Sequence, residues 1–362
     1  MLPSVKPVGG DRYYTNIRES RFLYSPQSKL NFELFLRRFN GNPLDYICDY
    51  YPWKYQLEPN SSCNLNCTFC AVSTWDHQKR APDMSLNTFK KVLDENPCLL
   101  ELNICPLGEP LLRGDDFFAM AKYSRSQKIW TRTVTNATLL HINDNFKKLS
   151  DCDFNEVVIS IDSFNETTYE NLRRGSKLHR VLKNVEILHS YMKSSDIPIR
   201  TKLNMVICPD NFESIADNLS AAERLGFNNI SLTVDPFNWG ISSLDSINIY
   251  SKLDQTYLNH LANFYSKRKI ILGFVFTNNK LFNSEHVNSR CSWPFSAMYI
   301  GSDLSYPPCC HIGDPSVYNV YNSSQGSMVY PLDVWNSEAY SIFRSSHLKL
   351  SNIPDVCKPC YK

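Results

Sequence analysis

Glycine is scarce in this chain: 12 of 362 residues, where about 7% is usual. No GxGxxG or GxxxxGK(S/T) string occurs, so neither common glycine-built cradle for nucleotide phosphates is present. Long apolar runs are also missing. The tightest cluster, 270–276, is interrupted by Gly273 and falls far short of the ~18 residues a membrane-spanning helix needs. The opening MLPSVKPVGGDRYYTN has no basic start followed by an apolar core, so it does not read as an export signal, and a cytoplasmic location is expected. The formal net charge is only +2 and no long basic run exists. Neither nucleic acid nor membrane is therefore an expected partner. With 43% hydrophobic and 20% charged residues, the chain can still bury a core.

What the chain has in excess is cysteine. Thirteen cysteines, an odd number with no export signal, argue against a disulfide framework and for metal ligation. Their placement depends on the secondary structure around them. Residues 1–45 are polar and aromatic, with one expected amphipathic helix from Ser28 to Phe39 whose Leu30, Leu34 and Phe35 share a face. Short apolar segments then follow at Tyr55–Glu58, Leu99–Ile104, Ile129–Thr135, Val157–Ile161, Thr201–Ile207 and Asn229–Val234. Helical stretches alternate with them: one capped by Ser85, one striped by Leu178, Val181, Leu182, Val185 and Leu188, one from Phe212 to Leu225 ending at Gly226, and one near Leu253–Tyr265. Six strand–helix units in series predict an α/β fold with a parallel sheet, open or curled into a partial (β/α)6 barrel. Beyond about Val287 the chain turns to Cys, Pro, Ser and Tyr with little periodicity, a composition that bound metal would stabilise. The expected division is 1–45 as an N-terminal extension, 46–280 as the core and 281–362 as a small Cys-rich domain.

Cys63-Asn-Leu-Asn-Cys67-Thr-Phe-Cys70 follows directly on the first strand. Three thiolates on one loop can hold three corners of a [4Fe–4S] cluster and leave the fourth iron open to a small chelating ligand. A ferredoxin-like carrier has a different spacing, with a fourth cysteine soon after, and a structural zinc site wants four protein ligands. A second group comprises Cys291, Cys309, Cys357 and Cys360. Four thiolates can enclose a second cluster completely or hold a zinc ribbon. Cys310 is left over, as are Cys48, Cys98, Cys105, Cys152 and Cys208, which suit small apolar core positions.

The CxxxCxxC spacing resembles the radical S-adenosylmethionine (SAM) superfamily, in which SAM completes the first cluster. Further stretches resemble it in the same order: Leu107-Gly108-Glu109-Pro110 after the second strand, Thr135-Asn136-Ala137 at the third, and Ser160-Ile-Asp162-Ser163 with Tyr169-Glu-Asn-Leu-Arg173-Arg174-Gly at the fourth. The resemblance spans about Lys54 to Val234. It implies that Cys63, Cys67 and Cys70 bind the cluster and that Gly108, Glu109 and Pro110 approach the SAM ammonium group. It further implies that Asn136, Ser160 and Asp162 face SAM, that Arg173 serves its carboxylate, and that Phe69 lies near adenine. Three places depart from the family pattern: Cys105-Pro-Leu-Gly stands where Gly-Gly is usual, and Ala137 and Leu304 stand where single glycines are. The C-terminal cysteines resemble the SPASM/twitch extensions of the superfamily. With few cysteines there, the shorter type with one auxiliary [4Fe–4S] cluster is implied, on Cys291, Cys309, Cys357 and Cys360.

Such a protein takes electrons from a flavodoxin or ferredoxin and cleaves SAM to a 5′-deoxyadenosyl radical that abstracts hydrogen from its substrate. The short stretch ahead of the core points to a small-molecule dehydrogenase or epimerase acting on a sugar or aminocyclitol. A maturase of ribosomal peptides is the alternative, and a non-catalytic iron–sulfur or zinc protein a third class. Cys310 is the candidate hydrogen-atom donor for an epimerase; its alternatives are packing beside the cluster or replacing Cys309 as a ligand.

Overall fold

The computed structural model describes residues 22–40, 48–104, 107–198, 200–234, 240–241, 254–268, 270–275, 291–321, 329–349 and 352–361. Cys105 and the boundary expected at 277–286 lie outside the described residues. Among those described, no helix is long and apolar enough to cross a membrane.

All six expected strands form, as β1 (Lys54–Leu57), β3 (Glu101–Ile104), β4 (Trp130–Thr135), β5 (Glu156–Ser160), β7 (Thr201–Val206) and β8 (Asn229–Thr233). Two more join them: β9 (Ile271–Val275) beside β8, and β10 (Ala297–Ile300) beside β1. The result is one parallel sheet of eight strands in the order β10-β1-β3-β4-β5-β7-β8-β9. A separate two-residue pair joins β2 (Asn66–Cys67) to β6 (Arg173–Arg174), antiparallel, with Cys67 opposite Arg173.

Helices cover one face of the sheet. Ser85 caps α2 (Leu86–Asp94) by accepting from the Thr88 N–H at 3.0 Å, and the helix buries Phe89, Val92 and Leu93. Between β3 and β4 runs α3 (Asp115–Ser126), and α4 (Asn145–Asp151) precedes β5. The turn between β5 and β6 carries α5 (Glu166–Leu172). The stripe expected on α6 (Leu178–Ser194) is buried at Leu178, Val181, Val185 and Leu188. Gly226 follows α7 (Ile215–Arg224) with φ +95°, and a Cβ there would stand 3.3 Å from His189 Nδ1; only glycine ends the helix in this conformation without a clash. The sheet is completed on that side by α8 (Gln255–Ser266) before β9.

The N-terminal helix α1 (Pro26–Asn40) forms where expected but rotates its packing face. Phe32 and Phe35 are buried against Trp53, with ring centroids 5.3 and 5.8 Å away, while Leu30 is 54% exposed. Aromatic burial outweighs that of one leucine.

Residues 297–300, read from sequence as part of the Cys-rich segment, belong to the main sheet. Polar contacts reinforce that join. Glu58, fully buried after β1, accepts from Arg80 Nη2 and Tyr299 Oη, both at 2.7 Å, and from the Ser302 N–H at 3.3 Å. Arg80 reaches on to Asp303 at 2.9 Å. Behind this join, α9 (Trp293–Ser296) leads into β10, while α10 (Pro331–Trp335) and α11 (Glu338–Lys349) pack on the same side, with Trp335 Nε1 donating to the Tyr50 carbonyl at 2.9 Å.

Candidate functional site

The first cysteine loop is held on both flanks by backbone bonds. Cys63 N–H donates to the Gln78 carbonyl at 3.3 Å, Thr68 N–H to Leu172 at 3.0 Å, and Cys70 N–H to Cys67 at 3.3 Å. Burial pushes the Cys63 and Cys70 thiols up to about 12 in the metal-free protein, with the neighbouring cysteines adding to the effect. Thiols so disfavoured as thiolates need a cation to deprotonate them, as a bound iron cluster does.

Gly108 presses on this loop. Its φ is +82°, and a Cβ would lie 2.7 Å from the Ser62 carbonyl oxygen and 3.0 Å from that of Asn60. Pro110 opens the short helical turn 110–113, whose cap is Glu109. The buried Glu109 carboxylate accepts from Leu111 N–H at 3.2 Å, Thr135 Oγ1 at 2.7 Å and Asn136 N–H at 2.8 Å. Burial raises its pKa to about 7, against the pull of those bonds and of Arg173. The residue expected to face SAM thus also ties the β3 loop to the end of β4. Asn136 Nδ2 donates to Asn64 Oδ1 at 3.0 Å and sits 3.9 Å from Cys63 Sγ. The next residue, Ala137, has φ +61°.

Asp162, with no solvent exposure, accepts from Arg173 Nε at 2.6 Å and from Val206 N–H at 2.8 Å. That bond leaves the outer guanidinium nitrogens of Arg173 for another acceptor. Of the two arginines in the motif, Arg173 is buried and Arg174 exposed. The Arg173 guanidinium lies over the Phe69 ring, 5.7 Å from its centroid, and its charge opposes the burial that raises Cys67. Ser160 ends β5 two residues before Asp162, nearly buried. The structure therefore gathers Cys63, Cys67, Cys70, Phe69, Gly108, Glu109, Asn136, Asp162 and Arg173 at the ends of β1, β3, β4 and β5.

The second group is assembled differently. Cys291, Cys309, Cys357 and Cys360 line one cavity together with Trp293, Phe343, His347 and Tyr361; Cys310 is absent from that lining. Instead Cys310 is influenced by His311 and Lys54. Among the described residues, no three cysteine sulfurs lie within 4.8 Å of one another. Sequence reasoning missed His347 and Tyr361. Tyr361 Oη accepts from Cys291 N–H at 3.2 Å and lies 2.6 Å from His347 Nδ1. Burial pushes His347 down to about 4. The one usable signal was the i, i+4 spacing of Phe343 and His347 ahead of the closing CxxC. None of the twelve described cysteines is in a disulfide, and Cys48, Cys98, Cys152 and Cys208 are buried.

The model of the radical SAM superfamily matches residues 57–231, and that of SPASM, an iron–sulfur cluster-binding domain, matches residues 291–361. The chain belongs to the radical SAM superfamily. As in other radical SAM proteins with a SPASM domain, its cofactors are [4Fe–4S] clusters and SAM. The chain is 29% identical over 176 residues to an uncharacterized protein of Methanocaldococcus jannaschii, covering 47% of this chain and 57% of that one. It is 25% identical over 174 residues to the GTP 3′,8-cyclase of Aliarcobacter butzleri, covering 46% and 47%. The radical SAM chain described here thus spans about half the length of these curated relatives. Among solved structures, SuiB of Streptococcus suis bound to the precursor peptide SuiA is similar with a TM-score of 0.62 at 18% identity, covering 88% of this chain and 70% of that one.

The sheet also carries a polar row. Register places Tyr299, Gln56, Asn103, Arg132 and Glu156 in one row across β10, β1, β3, β4 and β5. Lys54 pairs with Glu101 at 3.3 Å, and Arg132 with Glu156 at 3.5 Å. Gln56 Oε1, Asn103 Oδ1 and Arg132 Nε are buried without a hydrogen-bond partner among the described residues. Barrel interiors are ordinarily filled with Val, Ile and Leu.

Proposed function

We propose that this protein cleaves SAM reductively and uses the resulting 5′-deoxyadenosyl radical to remove a hydrogen atom from a polar small molecule, oxidising or epimerising it. The observation that carries the first half is the gathering of three thiols from one loop with a buried carboxylate and a buried guanidinium beside them. A [4Fe–4S] cluster on Cys63, Cys67 and Cys70 supplies the electron, received from a flavodoxin or ferredoxin. Glu109 serves the SAM ammonium group, and the outer nitrogens of Arg173 its carboxylate. Asp162 orients Arg173, with Ser160 and Asn136 on the SAM side and Phe69 beside the adenine. Gly108 and Pro110 hold Glu109 in place.

The substrate half rests on the polar row. Its charges are paired with each other, and its unpartnered amide oxygens and guanidinium N–H suit neutral groups that both donate and accept, such as hydroxyls. Cys310 is the hydrogen donor of the epimerase variant. It belongs to the Cys-rich segment but does not line the cavity of Cys291, Cys309, Cys357 and Cys360, and Lys54 of β1 acts on it. Peptide maturation is the second reading, favoured by the likeness to SuiB in complex with its precursor peptide.

The test is anaerobic reconstitution, dithionite reduction and assay for 5′-deoxyadenosine. Its formation is expected; none under any reductant, with or without candidate substrates, rejects the proposal. In heavy water an epimerised product gains deuterium, and loss of that label in Cys310→Ala assigns the donor. Deuterium retained in the variant removes Cys310 from the reaction, and a product lacking two hydrogens identifies a dehydrogenase.

A further inference from the structure

His347 stands at the wall of the second cysteine cavity with one polar atom unaccounted for. The residue is 1% exposed, and its Nε2 is buried with no hydrogen-bond partner. A buried donor or acceptor left unpaired is destabilising, and such groups in native proteins ordinarily have a partner. The described residues supply none for Nε2, although the ring borders the cavity lined by Cys291, Cys309, Cys357 and Cys360.

The neighbouring bonds assign the proton. Cys291 N–H donates to Tyr361 Oη at 3.2 Å, which uses a lone pair of that oxygen. The same hydroxyl lies 2.6 Å from His347 Nδ1 and has its own hydrogen to give. Among the described residues Nδ1 is the one acceptor within reach of that hydrogen, so we assign Tyr361 as the donor, Nδ1 as the acceptor and the ring hydrogen to Nε2. Edge-to-face packing on Phe343, with centroids 4.7 Å apart, fixes the ring plane. The chain Cys291 N–H, Tyr361, His347 starts at one cysteine of the site and ends on an N–H that has no acceptor among the described residues.

We propose that His347 donates its Nε2–H to a sulfur of the auxiliary iron–sulfur cluster and thereby raises that cluster's reduction potential. A cluster offers sulfide and thiolate sulfurs as acceptors, and hydrogen bonds to them stabilise the more negative, reduced form. His347 is thus a positioning and tuning residue for electron acceptance, not a cluster ligand. The inference rests on the reading that these four cysteines hold the auxiliary cluster. Loss of about half the iron in Cys357→Ala tests that reading separately.

The experiment uses full-length, reconstituted protein carrying the triple change of Cys63, Cys67 and Cys70 to Ala, so that only the auxiliary cluster is observed. An EPR-monitored redox titration is compared with the same protein bearing His347→Phe, which keeps the ring packing. The expected change is a roughly tenfold shift of the equilibrium toward the oxidised cluster, a fall of about 59 mV for a one-electron couple. After exchange into heavy water, a deuteron coupled to the reduced cluster is expected in the histidine protein and not in the Phe variant. His347→Gln, which keeps an N–H donor, should restore most of the potential and covers the case in which the Phe variant loses its cluster. Equal potentials in the His and Phe proteins overturn the proposal. A nitrogen coupling strong enough for direct iron ligation by the imidazole overturns it too.

Discussion

The two cysteine sites differ in how they are built and in what surrounds them. Cys63, Cys67 and Cys70 come from eight consecutive residues and are bordered by ionisable groups, namely Glu109, Asp162 and Arg173. The four C-terminal cysteines come from positions 291 to 360 and meet in a cavity walled by Trp293, Phe343 and Tyr361. The first site has one thiol too few to close a cluster and polar side chains to receive a ligand there. The second has a complete set of thiols and a wall of aromatic and aliphatic side chains in which His347 and Tyr361 carry polar atoms. An incomplete site surrounded by charge suits bond cleavage, while a complete one in such a wall suits holding or passing an electron.

The sharpest way to break this comparison is to remove each site in turn. Changing Cys63, Cys67 and Cys70 together to Ala should abolish 5′-deoxyadenosine formation while leaving about four iron atoms per chain, measured by iron analysis and product chromatography. Cys357→Ala should give the mirror image: iron falling from about eight to about four per chain, SAM cleavage persisting, and substrate conversion lost. Stoichiometric zinc with about four iron in the unaltered protein would show the second site to be a zinc site instead.

A smaller effect separates the sites by pH. Burial raises Glu109 to about 7, so below that pH the SAM-free carboxyl is protonated, whereas the ammonium group of SAM calls for the carboxylate. SAM affinity should therefore weaken about tenfold per pH unit below about 7 and level off above it. Calorimetric titration across pH 5.5–8.5 measures this. Glu109→Gln should bind weakly with no such slope; a slope preserved in that variant assigns it to another group.

The smallest expected effect concerns backbone strain next to the first site. Ala137 holds φ +61°, a left-handed conformation that costs a residue with a Cβ about 1 kcal/mol. Ala137→Gly should stabilise the protein by no more than about 0.6 kcal/mol once the ~0.4–1 kcal/mol of entropy that glycine adds to the unfolded chain is deducted. Thermal or denaturant unfolding reads it, and destabilisation would mean that the methyl group's packing outweighs the strain.

The same contrast explains what could be read from the sequence. The first site was legible because its cysteines and the segments after each strand follow one another in chain order. Even its departure at Ala137 kept a positive φ, +61°, that glycine would have supplied, and Leu304 in the C-terminal segment does the same at +58°. The second site's cysteines were legible but its wall was not. Tyr361 and His347 meet Cys291 only through tertiary folding, and no local pattern announces that. The face of α1 was misread because the Leu30 spacing fits a helical stripe as well as Phe32 does, and only the position of Trp53 decides between them. Strand β10 was missed because its four residues, AMYI, sit in an aperiodic tract and their partner lies far back in the chain.

That pairing has a bearing on synthesis. Lys54 aligns with Ala297, about 240 residues later. At about 5–20 residues per second, β1 waits on the order of tens of seconds for the strand that closes its open edge. During that interval the first cysteine loop already exists, attached to a sheet whose outer hydrogen-bonding groups face water and whose Glu58 lacks Tyr299. An unpaired edge of this kind invites association with other chains. Expression that slows or truncates the last fifth of the protein should therefore yield aggregates rather than a smaller active core, and the metal supplied to the nascent first loop would be held by an unfinished fold.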